Sequence, residues 1–259
     1  MTTGVGEERR MPQHMLSELG FGVRRSGDGL EGWAPLIPEM HAPGTQSLRT
    51  SILAVWADML AGLLAAKNMD GRVPVTLELD IHLYRPAPGR GVVRALGRPV
   101  KKGRTVFVAS VEFLDDEDEP FAFGSASFMA VPDPDLRMPD TLSWELPPPM
   151  QTLSMPIAER ARCRRIEPGM VELPRSEDGL NSSNTVNGGL IALAVEEAAL
   201  SQSPHKTLCV LDVRYLQPVR SGPVRARAHT RAGLSQVEVR DSGSHDRLAA
   251  LATTRVFPD

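Results

Sequence analysis

The chain has 259 residues, with 41% apolar and 24% charged residues and a net charge of −3. That balance describes a globular protein with a real core and gives no electrostatic footprint for nucleic acid. Two cysteines, Cys163 and Cys209, and six scattered histidines form neither a disulfide framework nor a metal-ligand spacing, so no metal is expected.

In chain order, the first 14 residues lack an apolar signal region and no apolar run reads as long enough to span a bilayer. The expected location is therefore cytoplasmic, with no membrane partner. MPQHMLSELG (11–20) reads as a short helix and GFGVRRSGDGLEGWAPL (20–36) as a strand. Residues 48–66, LRTSILAVWADMLAGLLAA, form a helical stretch that is apolar nearly all round, the mark of a helix buried on most sides. The segments that follow alternate and are rich in Val, Leu, Phe and Arg, as antiparallel strands with one solvated face should be. VPDPDLRMPDTLSWELPPPM (131–150) is proline-dense and reads as a linker. It divides the chain into an N-terminal domain (1–140) and a C-terminal domain (150–259). The second half repeats the order, with the apolar helix GGLIALAVEEAAL (188–200) ahead of its strands. The short basic clusters Arg9-Arg10, Lys101-Lys102 and Arg160 to Arg165 read as solvated edges.

An internal repeat ties the halves together. VTLELDIHLYRP (75–86) aligns with TLCVLDVRYLQP (207–218) when Pro86 is set on Pro218, which brings Asp80 onto Asp212 and Ile81 onto Val213. Each half is thus a long buried helix wrapped by an antiparallel meander, an α+β architecture.

This arrangement resembles the hotdog fold, and within it the branch that includes phenylacetyl-CoA and 4-hydroxybenzoyl-CoA thioesterases. Sequences of that branch carry an Asn, a His-Gly-Gly six residues later, and a carboxylate seven past the second Gly. A Ser or Thr often stands ten residues before the Pro of the next strand. In the second half Asn181, Asn187-Gly188-Gly189 and Glu196 keep those spacings, with Asn187 in place of His and Leu208 in place of the hydroxyl. In the first half Asp58 and Thr76 keep the complementary positions, while Arg49-Thr50-Ser51 replaces His-Gly-Gly and Pro43 replaces Asn.

The resemblance implies a double hotdog, a pseudo-dimer with two interfaces. One interface combines Asp58 and Thr76 with Asn181 and Gly188 and is complete. The other combines Glu196 and Leu208 with Pro43 and Thr50 and keeps only the carboxylate, although the Thr50 amide could still serve as an oxyanion donor. Random drift would not be expected to place all the losses in one site.

The implied activity is acyl-CoA thioester hydrolysis with no cofactor, coenzyme A being part of the substrate. Asp58 serves either as general base on water or as nucleophile. The Gly188 amide, at a helix N-terminus, stabilises the oxyanion, and the Gly188-Gly189 pair lets the thioester carbonyl come close. Asn187 caps the helix or contacts substrate, Asn181 orients water or the carbonyl, and Thr76 bonds the carboxylate or water. The expected partner is a small-molecule acyl-CoA, and double-hotdog chains can associate further into homo-oligomers. Two other functions fit the sequence: a non-catalytic acyl-CoA binding or regulatory protein, and an enoyl-CoA hydratase, which would need a His near the carboxylate. For Asp58 the plainer role is a surface acid, but its helical neighbours Ala54, Val55, Ala61 and Gly62 offer no charged face.

Overall fold

A computed structural model describes residues 14–133, 135–139, 143–149 and 152–258. The first half holds β1 (Gly22–Ser26), β2 (Gly29–Pro35), α1 (Thr50–Asn68), β3 (Pro74–Leu83), β4 (Val92–Lys102), β5 (Val106–Leu114) and β6 (Pro120–Ala130). The second holds a single turn α2 (Ile157–Arg160), β7 (Arg164–Glu167), β8 (Met170–Leu173), α3 (Gly188–Leu200), β9 (Leu208–Tyr215), β10 (Val224–Arg231), β11 (Leu234–Asp241) and β12 (Arg247–Val256).

All twelve strands join one antiparallel sheet in the order β1-β2-β4-β5-β6-β3-β9-β12-β11-β10-β8-β7. Both long helices pack against it and against each other. Alternation sets the faces. In β3, Leu79 and Ile81 are fully buried toward the helices while Asp80 and His82 lie on the outer face. On α1, Leu53, Trp56, Leu60 and Leu64 are buried along one face, Ala54, Ala61 and Ala65 on one flank and Ile52 and Leu63 on the other, so most of the helix is covered. By length and composition α1 passes for a membrane span, contrary to the sequence expectation, but two-thirds of that window is buried inside the protein (67%).

The seam between the halves is the β3–β9 pair. Asp80 stands opposite Asp212, Leu79 opposite Val213 and Ile81 opposite Leu211. Since Leu79 corresponds to Leu211 in the repeat, and Ile81 to Val213, this register is that of a two-fold axis through Asp80 and Asp212. Two carboxylates meeting there would repel. His82 Nε2 lies 3.2 Å from Asp212 Oδ1, and Ser125 donates to Asp80 Oδ2 at 3.3 Å. Burial nonetheless pushes the carboxyl of each aspartate upward from its ordinary value.

Three expectations change in detail. The segment read as one strand at 20–36 is the hairpin β1–β2, which reverses at Gly27 with φ of 61°, a left-handed conformation that suits glycine. The expected N-terminal helix is a 3-10 turn over Met15–Leu19, and residues 11–13 of that reading lie outside the described residues. The proline-rich stretch is docked where it is described: Leu146 bridges to Val23 and Arg137 to Arg72.

Candidate active site

Asp58 sits midway along α1, and its carboxylate Oδ1 accepts the Thr76 hydroxyl at 2.8 Å. Thr76 reaches it from β3 where the pairing with β6 slips by one residue between Thr76 and Glu78. Such a bulge re-aims a side chain beside a site. Asp58 keeps some exposure as a residue, yet the apolar surroundings of its carboxyl push its pKa up to about 6. Desolvation is the main cause, and the Thr76 hydrogen bond partly offsets it.

The N-terminus of α3 meets α1 at the turn before Asp58. A Cβ on Gly189 would lie 2.5 Å from Val55 Cγ2, so only glycine allows this approach. Asn187 caps α3, its Oδ1 accepting the Gly189 N–H at 2.8 Å. Gly188 occupies the first helical position, where an N–H has no acceptor within the helix. Its carbonyl accepts the hydroxyl of Tyr215, at the end of β9, at 3.0 Å. Tyr215 was not singled out from the sequence. Its phenol is pushed well above the ordinary value, first by burial and then by the negative charge of Asp58. Tyr215 therefore stays a neutral donor between the helix terminus and the acid. Asp58 and Thr76 from one half thus converge with Asn187, Gly188, Gly189 and Tyr215 from the other.

Asn181 is placed differently. It is exposed, and its Oδ1 accepts from Ser183 N (3.0 Å), Thr185 N (3.2 Å) and Thr185 Oγ1 (3.1 Å). The oxygen expected to orient water instead closes the loop that leads into Gly188. The short polar side chain satisfies nearby backbone donors first.

The equivalent interface is closed. Glu196 is fully buried, and its Oε1 accepts the Thr50 N–H at 2.9 Å and the Ser51 N–H at 3.4 Å. Its Oε2 accepts the Ser51 hydroxyl at 2.6 Å and pairs with Arg49 Nη1 at 3.2 Å. Arg49, only 2% exposed, also pairs with Glu197 at 2.6 Å. The Thr50 amide is therefore occupied by the carboxylate itself, and the Thr50 hydroxyl donates to Leu208 O at 2.9 Å. Among the described residues, no group of three or more His, Cys, Asp and Glu is placed to hold a metal ion.

Residues 51–122, from the first turn of α1 into β6, match the family model described as the Thioesterase superfamily. That match covers part of the first half, and the chain as a whole folds as a double hotdog. The matched segment contains both Asp58 and Thr76. Among solved structures, the chain is similar to an acyl-ACP thioesterase from Bacteroides thetaiotaomicron, with 12% identity over 93% of this chain and 99% of that one and a TM-score of 0.63. It is similar to the 12:0-ACP thioesterase from Umbellularia californica, at 12% identity, 91% and 100% coverage and a TM-score of 0.66. It is also similar to a tesB protein of Mycobacterium avium subs paratuberculosis, at 17% identity, 91% and 96% coverage and a TM-score of 0.59. At these identities the structures speak for the fold. No curated protein sequence matches the chain.

Proposed function

We propose that this chain is a thioesterase of that superfamily and hydrolyses an acyl-CoA thioester at a single site, built from Asp58 and Thr76 of one half and Gly188 and Tyr215 of the other. The thioester carbonyl oxygen points at the Gly188 N–H, where the helix terminus favours developing negative charge. Asp58 takes a proton from a water as that water attacks the carbonyl carbon. The C–S bond then breaks, the acyl group leaves as the acid, and the proton passes to the departing CoA sulfur. Thr76 holds Oδ1 of Asp58, which leaves Oδ2 for the water. A base titrating near 6 is ionised at neutral pH without being too weak to accept a proton.

The observation that carries this reading is the contrast between two equivalent positions. Glu196 is tied down by four hydrogen bonds to residues 49–51, whereas among the described residues the one side chain bonded to the Asp58 carboxylate is Thr76. Purified protein should release free thiol from members of an acyl-CoA panel, and Asp58→Asn should slow that release about a hundredfold or more. A protein that binds acyl-CoA and releases no thiol from any of them would be the non-catalytic alternative.

A further inference from the structure

The sheet order is symmetric about the β3–β9 seam, so β7 stands in the second half where β1 stands in the first. A short turn leads into each of these strands, the 3-10 turn Met15–Leu19 into β1 and α2 into β7. Glu18 and Arg160 occupy equivalent places in those turns, each four residues ahead of the strand that follows. They also meet. Arg160 donates from Nη2 to Glu18 Oε1 at 2.7 Å and from Nε to Glu18 Oε2 at 3.0 Å, and Nη2 also reaches Asp178 Oδ2 at 2.9 Å. Equivalent residues that touch each other lie on the two-fold axis, where a symmetric dimer would set a residue against its own copy. The tandem chain sets opposite charges there, in the forked geometry that makes the strongest pairs. With side chains only 16% and 25% exposed, the pair is shielded from the solvent that weakens surface ion pairs.

The Glu18–Arg160–Asp178 latch holds the N-terminal turn against the first turn of α3. His14 caps the turn, its Nδ1 accepting the Leu16 N–H at 3.1 Å, and the Leu153 N–H donates to Glu18 O at 3.1 Å. Met15 is buried beside Gly179, where an added Cβ would lie 3.4 Å from Met15 Cε and 2.8 Å from Leu190 Cδ1 of α3. The carbonyl of Gly179 accepts the Asn187 N–H at 3.0 Å, so this stretch also supports the residue that caps α3. Leu16 stands over Gly189. The Cβ position on Gly189 that lies 2.5 Å from Val55 Cγ2 is also 3.3 Å from Leu16 Cδ1. Three contacts from outside α3 thus hold its terminus: Val55 of α1, Leu16 of the latched turn, and Tyr215 through Gly188 O.

Building on the proposed thioesterase reading, we propose that Glu18, Arg160 and Leu16 are positioning residues: the latch keeps Leu16 on Gly189 and thereby fixes the Gly188 N–H as oxyanion donor. They act through the helix terminus and not by touching substrate. An oxyanion donor works only where the negative charge will develop, and a small displacement of an aligned group costs rate more than binding. Releasing the latch therefore lowers kcat and leaves KM. A latch that served stability alone would change the folded fraction and leave kcat per folded molecule as it was.

The test breaks the pair and rebuilds it. Glu18→Arg sets two guanidiniums against each other on the axis, and kcat for an acyl-CoA should fall about tenfold, with KM nearly unchanged. The swapped pair Glu18→Arg/Arg160→Glu should return kcat to within about threefold of the native value. Leu16→Ala should lose kcat as Glu18→Arg does, and Leu16→Met, which keeps the apolar contact, should not. Should Glu18→Arg fail to fold, Glu18→Gln reads the same split at about threefold. Hydrogen exchange without substrate follows the amides of residues 189–191; it should quicken in Glu18→Arg and slow again in the swapped pair. Normal kcat per folded molecule in Glu18→Arg overturns the proposal, and so does a swapped pair that restores nothing. Faster exchange confined to residues 14–20 overturns it as well. If no acyl-CoA releases thiol even with the native protein, the hydrolysis reading fails, and exchange at residues 189–191 alone decides whether the latch holds the helix terminus.

Discussion

Replacing Asp58 by Asn should make the protein more stable while it inactivates it. Burial raises the Asp58 pKa from 3.8 to about 6, so the native state holds a proton more tightly than the unfolded chain does. Between those two values stability must fall as pH rises, because the native carboxyl is losing a proton that it prefers to keep. At about 1.4 kcal/mol per pH unit, ionised Asp58 costs the native state on the order of 3 kcal/mol at pH 8. Asparagine has the same shape, can accept the Thr76 hydroxyl, and carries no charge to desolvate. Chemical denaturation across pH 4–8 should show the variant more stable by about 1–3 kcal/mol at pH 8, with the gain shrinking to nothing below pH 4. In the same samples kcat should fall about a hundredfold or more, the scale of losing a general base. A variant that is no more stable at pH 8 than at pH 4 would show that Asp58 is not desolvated. Full turnover in Asp58→Asn would refute its role as base.

Four further outcomes follow from the same geometry. Thr76→Val removes the bond that lowers the Asp58 pKa, so the acid limb of the kcat/KM–pH profile should move above 6 and activity at pH 6 should drop. Tyr215→Phe removes the donor on Gly188 O and should lower kcat about tenfold, a loss of roughly 1.4 kcal/mol, with KM nearly unchanged. Glu196→Gln leaves Arg49 buried with Glu197 alone; it should cost on the order of 3 kcal/mol of stability, read by denaturant melts, while turnover per folded molecule stays within about threefold. Asp58→Glu keeps a carboxylate but gives it the reach of Glu196, so its activity should fall nearly as far as that of Asp58→Asn.

Much of the fold was legible because its strongest signals are periodic. The apolar stretches at 48–66 and 188–200 read as helices buried on most sides, although the first also has the length and composition of a membrane span, and strand alternation told which side of each sheet residue meets them. The repeat marked Asp80 and Asp212 as equivalent, but only the register makes them the two-fold seam, since pairing across halves leaves no trace along one chain. Asp58 stood out as an acid on an apolar face. Tyr215 did not, because it aligns with Leu83 and a tyrosine at a strand end usually means only a half-buried position. Its one available sign was that asymmetry. Asn181 kept its motif spacing, but a spacing along the chain does not show that its Oδ1 closes its own loop. The run from Arg160 to Arg165 read as one solvated edge and is not uniform. Arg160 pairs with Glu18 at 2.7 Å and Asp178 at 2.9 Å, pinning the N-terminal 3-10 turn to the second half, while Arg162 and Arg164 are exposed.

One methylene separates the two interfaces. Asp58 and Glu196 each lie eight residues beyond the first residue of their helix, Thr50 and Gly188 respectively. Glutamate is long enough to cross to the opposite helix and bond its first two amides, which turns a potential base into a helix cap. Ser51 and Arg49 complete that cap, and the result stabilises the α1–α3 contact instead of binding anything. Aspartate is shorter. Asn187 already caps the Gly189 amide on that side, and Asp58 bonds Thr76 instead of the opposite helix. A symmetric homodimer could not make this division, because every residue would serve both interfaces at once. A tandem chain can: here one interface is closed by the Glu196 cap, and the proposed chemistry falls to the other.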